Sequence, residues 1–291
     1  MTLGSIQHLH IATRLRLIRN NLNELGALSQ TLRHCPACEH KFLTPCPNID
    51  QLRVHYSISS NLHGTSTLRS YLERIRNPDN LQNMNSLLDI LEDDFDLSRL
   101  ELKSGFIADI GCNAATNLAA LKQSGYTNLL AIEPDPRLQE WNARYVGCSC
   151  VLGMIDDIST SYFGKCTLVI LHDVLEHVID VRHALKICYE LMSQNSALSI
   201  QVPNMDCILG KYNLEAFSWY EVDHLHYFNQ TSLRKLIEST GFRKIRITTP
   251  ITPFYDANDF KQVFRKDLTD EDAKKIEATL GGRRLHAIVA K

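Results

Sequence analysis

From residue 106 onward the chain alternates short β-type runs with segments of helical periodicity, and this alternation constrains the fold more than any other feature. The strand-like runs are FIADIG (106–111), LLAIE (129–133), CVLG (150–153), TLVILH (167–172) and ALSIQV (197–202). Apolar residues recur at helical spacing between them, over 114–123, 136–145 and 181–192. Strands joined by crossover helices run parallel, in a sheet that is covered on both faces. The pattern therefore predicts an α/β fold.

The end of the chain departs from this alternation. A helix is predicted over 231–242, with Gly241 as its C-terminal stop. It is followed by KIRITT (244–249) and, after a polar and charged stretch, by LHAIVA (285–290). We expect a final strand that returns after so long a connection to insert antiparallel into the otherwise parallel sheet.

Residues 1–95 lack strand alternation and are typical of a helical accessory region that packs on, or covers, an α/β domain comprising residues 96–291. Two amphipathic helices are predicted over 68–76 and 81–91, after a cluster of cysteines. One or two more are predicted before that cluster, from apolar residues at Ile6, Leu9, Leu15, Ile18, Leu22, Leu25 and Leu28.

The composition excludes several classes of function. Lys and Arg number 31 against 33 Asp and Glu, a net charge of −2 that disfavours general attraction to a phosphate backbone. The apolar runs are far shorter than the roughly 20 residues of a membrane-spanning helix, and the start of the chain lacks a signal-peptide core. Six of the nine cysteines are scattered through segments that read as strands, helices or their edges, as buried thiols are in a reducing compartment. We therefore expect a soluble, cytoplasmic protein without a membrane or nucleic-acid partner.

The turn after the first of these strands has the features of a ligand site. The helix that follows Asp109 and Gly111 exposes backbone N–H groups and the positive end of its dipole. Gly111 allows a sharp turn and a close approach of the ligand. Glu133 ends the next strand, close to the spacing of ~20 residues expected for an acid that hydrogen-bonds ribose hydroxyls. Taken singly, Gly111 would be explained by an ordinary turn, Asp109 by a core partner and Glu133 by a position on the surface. The three together favour a nucleoside cofactor.

From 106 to 291 the chain resembles the class I S-adenosylmethionine-dependent methyltransferases. DIGCNAATNLAAL (109–121) is similar to their first loop, LLAIEPD (129–135) to their ribose-binding strand end, and LVILHDVLEHVID (168–180) to their strand four with its LEH signature. QVPN (201–204) and DHLHYFNQTSLRKLIESTGF (223–242) resemble the segments after strand five. The resemblance is greatest to ubiquinone-biosynthesis-like O-methyltransferases and to sugar and natural-product methyltransferases.

This resemblance implies a Rossmann-like sheet of seven strands, mostly parallel with the last strand antiparallel, and S-adenosylmethionine as cofactor. The cofactor contacts that it implies are Asp109, Gly111 and Asn113 in the first loop, Glu133 at the ribose, Met154, Ile155 and Asp156 at the adenine, and His172 beside the sulfonium. The family usually has GCGxG in the first loop, whereas this chain has Asn113 and Ala115 at the later glycine positions. That departure keeps open a non-catalytic binding subunit with the methyltransferase fold.

Acids and histidines follow the fourth and fifth strands, whose ends meet at one edge of such a sheet. Asp173, Glu176, His177 and His224 resemble the metal site of small-RNA 2′-O-methyltransferases. Two carboxylates and two imidazoles suit Mg²⁺, Mn²⁺, Fe²⁺ or Zn²⁺, and such an ion would lower the pKa of a substrate hydroxyl. The alternatives are a metal-free general base, with His177, His224 or the nearby His172 in that role, and residues that only cap and pack.

We therefore expect an enzyme that moves the sulfonium methyl group to a small molecule, most readily to a hydroxyl oxygen. C-methylation, or another use of the cofactor in natural-product or sugar biosynthesis, is the alternative on the same scaffold. A homo-oligomer is compatible with the sequence.

Three cysteines cluster before the α/β region. Cys35, Cys38 and Cys46 resemble half of a zinc knuckle, which commonly has four ligands. The fourth ligand would be His40, His55 or His63. Only one CxxC pair is present, so free thiols on a loop are the alternative.

Overall fold

The first part of the chain forms a small antiparallel sheet. The computed structural model describes residues 7–8, 30–58, 64–212, 223–251, 253–265, 267 and 269–291. The four strands, in spatial order, are β1 (Gln7–His8), β2 (Thr31–His34), β3 (Lys41–Thr44) and β9 (His226–Tyr227). The sequence predicts a helical N-terminal region, but the structure shows that part of this region forms strands. Strands this short show too little alternation to be recognised, and β3 finds its partner β9 far along the chain.

Helices follow the small sheet and confirm the predictions for 68–76 and 81–91. They are α1 (Ile49–Tyr56), α2 (Leu68–Ile75), α3 (Pro78–Phe95) and α4 (Arg99–Leu102). Each begins after an N-cap side chain that accepts a backbone N–H of its first turn: Asn48, Thr67, Asn77 and Ser98. The apolar positions of the helices predicted before the cysteines lie outside the described residues.

A seven-stranded sheet lies at the centre of the α/β region. Its seven strands are β4 (Phe106–Ile110), β5 (Leu129–Glu133), β6 (Ser149–Leu152), β7 (Cys166–His172), β8 (Met192–Pro203), β10 (Arg243–Thr248) and β11 (Arg284–Ala290). The spatial order is β10, β11, β8, β7, β4, β5, β6. Strands β4 to β8 pair in parallel, and β11 is antiparallel to both β8 and β10. This confirms the predicted Rossmann-like sheet with its last strand antiparallel.

Helices cover both faces of this sheet. They are α5 (Thr116–Gln123), α6 (Pro136–Trp141), α7 (Val181–Leu191), α8 (Ile208–Tyr212), α9 (Gln230–Glu238), α10 (Pro253–Phe264) and α11 (Asp270–Thr279). Side chains alternate along each strand, so Ala108 and Ile110 pack with α7 and α9, whereas Ile107 packs with α2, α3 and α5. None of the described helices has both the length and the apolar character that crossing a bilayer requires.

Several element boundaries differ from the predicted ones. Helix α6 gives way to a π-helical turn at Asn142–Val146, and β8 begins at Met192, directly after α7. Helix α9 ends at Glu238 with Ser239 as its C-cap, so the predicted stop Gly241 lies beyond the end of the helix. The polar stretch before β11 contains two helices that were not predicted, α10 and α11.

Candidate active site

A cleft opens at the carboxyl ends of β4, β5 and β7. It encloses about 610 Å³ of space including its mouth, within the ~300–1,000 Å³ usual for small-ligand sites. On one side it is lined by Gly111, Asn113, Glu133, Met154 and Ile155, all of which the sequence places near the cofactor. On the other side it is lined by Tyr56, Asp173, Val174 and His177.

The loop after β4 has left-handed backbone, the conformation that favours glycine, at three positions. Gly111, Asn113 and Ala115 have φ of 66°, 47° and 49°. Gly111 is required for a second reason, because a Cβ there would lie 2.6 Å from a methyl carbon of Val174. The Ala115 methyl is fully buried in the core cluster around Leu118 and lies outside the cleft lining. The alanine at position 115 therefore strains the backbone and lowers the stability of the fold, but it does not fill the cleft.

Glu133 holds this loop in place. Its carboxylate is buried, with Oε2 accepting the N–H of Asn113 at 2.8 Å and Oε1 accepting the N–H of Asp135 at 3.0 Å. Asn142 adds a hydrogen bond from Nδ2 to the Asn113 carbonyl, at 2.8 Å. Glu133 thus joins the loop after β4 to the end of β5, and it also lines the cleft.

Asp109 lies behind the loop rather than in the cleft lining. Its carboxyl is buried in β4 and accepts a hydrogen bond from Asn117 Nδ2 at 3.2 Å. Burial raises the pKa of Asp109 to about 7, although the Asn117 hydrogen bond opposes the shift and the charge of Glu133 adds to it. Its contact with the methionine moiety stays a prediction.

Two other predicted cofactor residues lie outside the cleft lining. Asp156 Oδ1 is 3.2 Å from His183 Nε2, whereas its neighbour Asp157 accepts the Met154 N–H at 2.9 Å beside the cleft. His172 Nε2 is 2.8 Å from Ser199 Oγ, and burial lowers the pKa of His172 to about 4. The structure thus does not bring either residue to the cleft.

Glu176, His177 and His224 converge beside the cleft. Each offers one ligand atom, and these atoms all lie within 4.8 Å of one another. The two imidazole rings are nearly perpendicular, with centroids 4.5 Å apart. Glu176 is 1% exposed, and neither of its carboxylate oxygens has a hydrogen-bond partner among the described residues. Burial, followed by the charge of Asp173, raises the pKa of Glu176 well above its usual range.

Asp173, the fourth predicted metal ligand, does not join this group. Its two carboxylate oxygens accept hydrogen bonds from Arg284 Nη1 at 2.6 and 2.5 Å. Asp173 has a φ of 53°, so the chain turns sharply where β7 ends and the Glu176 segment begins. A regular helix would instead have placed Asp173 on one face with Glu176 and His177, three and four positions later.

Sequence reasoning missed three residues at this site. The Tyr56 hydroxyl lies 2.8 Å from His177 Nδ1 and 3.3 Å from Asp223 Oδ2, and His55 Nε2 lies 3.4 Å from the same Asp223 oxygen. Burial alone would raise the pKa of Asp223, but the His55 hydrogen bond and the nearby His177 and His224 lower it below its usual range. Tyr56 and His55 come from the N-terminal region, where no motif marks Tyr56 and where His55 was considered only as a ligand of the cysteine cluster.

The cysteine pair lies in the turn between β2 and β3. The Cys35 N–H donates to the His40 carbonyl at 2.9 Å, and the pKa of Cys35 is lowered first by a hydrogen bond from the Cys38 backbone and then by one from its thiol. Cys46 does not complete a group of three. Among the described residues, only the Glu176 cluster brings three such ligand atoms together. Zinc binding by the cysteines stays a prediction.

The sheet order, the left-handed loop after β4 and the buried acid at the end of β5 together define a Rossmann-like methyltransferase. The family model described as "Methyltransferase domain" matches residues 96–247, more than half of the chain. The chain belongs to this family and is an S-adenosylmethionine-dependent methyltransferase of class I. No match was found among curated proteins.

Solved structures show the same fold at low sequence identity. A SAM-dependent methyltransferase from Archaeoglobus fulgidus is 16% identical with a TM-score of 0.50, covering 72% of this chain and 94% of that one. The plantazolicin methyltransferase BamL, solved with a triazolic desmethylPZN analog and SAH, is 13% identical with a TM-score of 0.54, covering 82% and 95%. A putative methyltransferase in complex with the Haloferax volcanii Trm112 activator is 13% identical with a TM-score of 0.50, covering 69% and 92%.

Proposed function

We propose that this methyltransferase transfers the methyl group to a hydroxyl oxygen of a small molecule that binds beside Glu176, His177 and His224. The observation that carries the proposal is the unpartnered, buried Glu176 carboxylate next to two imidazoles at the rim of the cofactor cleft. In the transfer a C–O bond forms as the C–S bond breaks, the sulfonium becomes a thioether, and the hydroxyl proton must leave. A cluster that accepts or displaces this proton makes the hydroxyl a better nucleophile.

S-adenosylmethionine would occupy the cleft with its ribose at Glu133. The backbone of Gly111 and Asn113 would contact the methionine moiety, and Met154 and Ile155 would flank the adenine. Glu133 supports this pose because its buried carboxylate lines the cleft at the carboxyl end of β5, where an acid that binds ribose hydroxyls is expected.

The cluster could act on the hydroxyl in two ways. In the first, His177 or His224 accepts the proton as a general base. In the second, Glu176, His177 and His224 hold a divalent ion, which binds the hydroxyl and lowers its pKa. Two imidazoles and one carboxylate suit Fe²⁺ or Zn²⁺ better than Mg²⁺. The buried Glu176 carboxyl has no hydrogen-bond partner among the described residues, and a bound cation would stabilise its ionised form against the cost of burial, which favours the metal.

A small-molecule acceptor agrees with the net charge of −2, which gives no general attraction for nucleic acid. The fold relative BamL was solved with a small-molecule analog, which supports the same class of acceptor here. We also place the protein in the cytoplasm, since all nine cysteines carry free thiols.

The test incubates the protein with methyl-¹³C-labelled S-adenosylmethionine and a pool of small hydroxyl compounds. We expect labelled products whose ¹³C shift is that of a methyl on oxygen; a shift typical of a methyl on carbon would contradict the proposal. Removal of metal by a chelator should abolish turnover, and Fe²⁺ or Zn²⁺ should restore it. Full turnover in the presence of the chelator would exclude the metal and would assign proton removal to a histidine as general base. Glu176→Gln should lose turnover, whereas the surface change Glu190→Gln should keep it.

A further inference from the structure

Helix α1 brings a phenol to the histidine of the proposed acceptor site. Tyr56 lines the cofactor cleft at the last position of the helix. Leu52 and Tyr56 pack in one apolar cluster with Leu225 and with Met154, which also lines the cleft. Arg53 makes two hydrogen bonds with the Asp157 carboxylate, at 3.0 and 2.8 Å. The helix is therefore held in place, and its tyrosine has a defined position.

The chemistry of the groups fixes the direction of the hydrogen bonds from Tyr56. An ionised carboxylate only accepts, so the Tyr56 hydroxyl donates to Asp223 Oδ2, 3.3 Å away. The hydroxyl then has no proton left for His177 Nδ1, 2.8 Å away, and must accept from it. The backbone carbonyl of Asp223, 3.0 Å from the same nitrogen, is likewise only an acceptor. Both contacts require the proton on Nδ1.

His55 keeps the Asp223 carboxylate in this arrangement. Its Nε2 lies 3.4 Å from Asp223 Oδ2, and its ring meets the Tyr56 ring edge to face with centroids 4.8 Å apart. The N-terminal region thus supplies two of the groups that surround His177.

We infer that Tyr56 and Asp223 are positioning residues that hold His177 as its Nδ1–H tautomer, with the lone pair on Nε2. The inference rests on the proposed function, since both a general base and a metal ligand need an unprotonated ring nitrogen. As a base, Nε2 takes the hydroxyl proton while Nδ1–H stays bonded to Tyr56 and Asp223. Helix α1 is then part of the active site rather than an accessory to it.

The test reads the tautomer directly, without an acceptor substrate. Long-range ¹H–¹⁵N spectra of the metal-free protein, labelled with ¹⁵N-histidine, distinguish the two neutral tautomers, and His177→Gln assigns the signal. We expect the Nδ1–H form in the wild type. In Tyr56→Phe, which keeps the ring in its apolar contacts, the Nε2–H form should become populated. Tyr126→Phe removes a buried phenol far from the cleft and should leave the His177 signals unchanged.

Two results would overturn the inference. One is an Nε2–H tautomer of His177 in the wild type, and the other is an unchanged tautomer in a folded Tyr56→Phe variant. Neither result depends on methyl transfer, so a failure of the proposed function remains distinguishable. With an acceptor in hand, Tyr56→Phe should lower kcat about 10- to 100-fold, the range for groups that orient a functional histidine, with KM for S-adenosylmethionine nearly constant.

Discussion

The Glu133 carboxylate accepts the backbone N–H of Asn113 at 2.8 Å, and this contact ties the end of β5 to the loop after β4. The loop is the part of the chain that departs from the glycine pattern of its family. Asn113 offsets part of its strain through its own side chain, whose Oδ1 accepts the Ala114 N–H at 2.8 Å. Ala115 has no such group.

Replacing Ala115 by glycine should therefore cost less stability than the same change elsewhere in the core. Ala115 and Ala120 are both fully buried, but Ala115 has a φ of 49° while Ala120 lies inside α5. Left-handed backbone costs an alanine roughly 1–2 kcal/mol, whereas glycine inside a helix loses about 1 kcal/mol. We expect the free energy of unfolding of Ala115→Gly to exceed that of Ala120→Gly by at least about 1 kcal/mol. Equal values in denaturant titrations would contradict the strain.

The fold could be predicted from the sequence because its signals are local. The strands of the central sheet and the acid Glu133 follow from alternation and spacing along consecutive segments. The candidate site was predictable only in part. Glu176, His177 and His224 came from short motifs, but Asp173, grouped with them, follows β7 in a left-handed turn, and its carboxylate pairs with Arg284. Such a turn leaves no mark in a helical pattern.

Contacts of the N-terminal region with the rest of the chain could not be predicted. Tyr56 meets His177 across 121 positions of the chain, and β3 pairs with β9 over a longer separation. Both contacts depend on how the N-terminal region docks on the α/β domain, and a single sequence carries no periodicity that reports docking. The same limit explains why Asp223, although inside a motif, was not recognised as a partner of Tyr56.

Asp109 should make the protein less stable as the pH rises. Its pKa is about 7 in the folded protein against 3.8 for the free side chain, so between these values only the folded state keeps the proton. Stability then falls by up to about 1.4 kcal/mol per pH unit across this window. Asp109→Asn should remove that slope, while Asp93→Asn on the surface should not. Parallel pH curves for the wild type and Asp109→Asn in denaturant unfolding would refute the prediction.

The small sheet should respond to pH with the opposite sign. His40 Nε2 lies 2.9 Å from His226 Nδ1, and burial, followed by the charge of His226, lowers the pKa of His40 to about 3. Below pH ~6.5 the unfolded chain gains a proton that folded His40 does not take, so stability is lost as the pH falls. His40→Phe, which keeps the stacking on Phe42 and Phe228, should weaken this loss. The surface change His183→Gln should leave it intact, and an acid slope unaltered in His40→Phe would count against the pair.

Zinc on the cysteine turn would appear in the metal content. If Cys35, Cys38 and Cys46 bind zinc, the purified protein should hold a zinc ion that Cys38→Ser loses and Cys188→Ser, changed in the core, retains. Glu176→Gln should not affect this ion, because it belongs to the other site. The contradicting results are zinc that persists when Cys38→Ser is combined with Glu176→Gln, or zinc that is absent from freshly purified Glu176→Gln protein; either would leave these cysteines as free thiols.

The most direct test of the account is calorimetric titration with S-adenosylmethionine and S-adenosylhomocysteine, beside Glu133→Gln. The glutamine amide can neither accept as strongly from the Asn113 N–H nor bind the ribose as a carboxylate does. Hydrogen bonds to charged groups contribute about 1.5–3 kcal/mol, so the account predicts micromolar binding that weakens by about 10- to 100-fold in Glu133→Gln. Glu140→Gln, exposed on α6, should bind like the wild type. Folded wild-type protein that binds neither compound, or equal affinity in Glu133→Gln, would contradict the account.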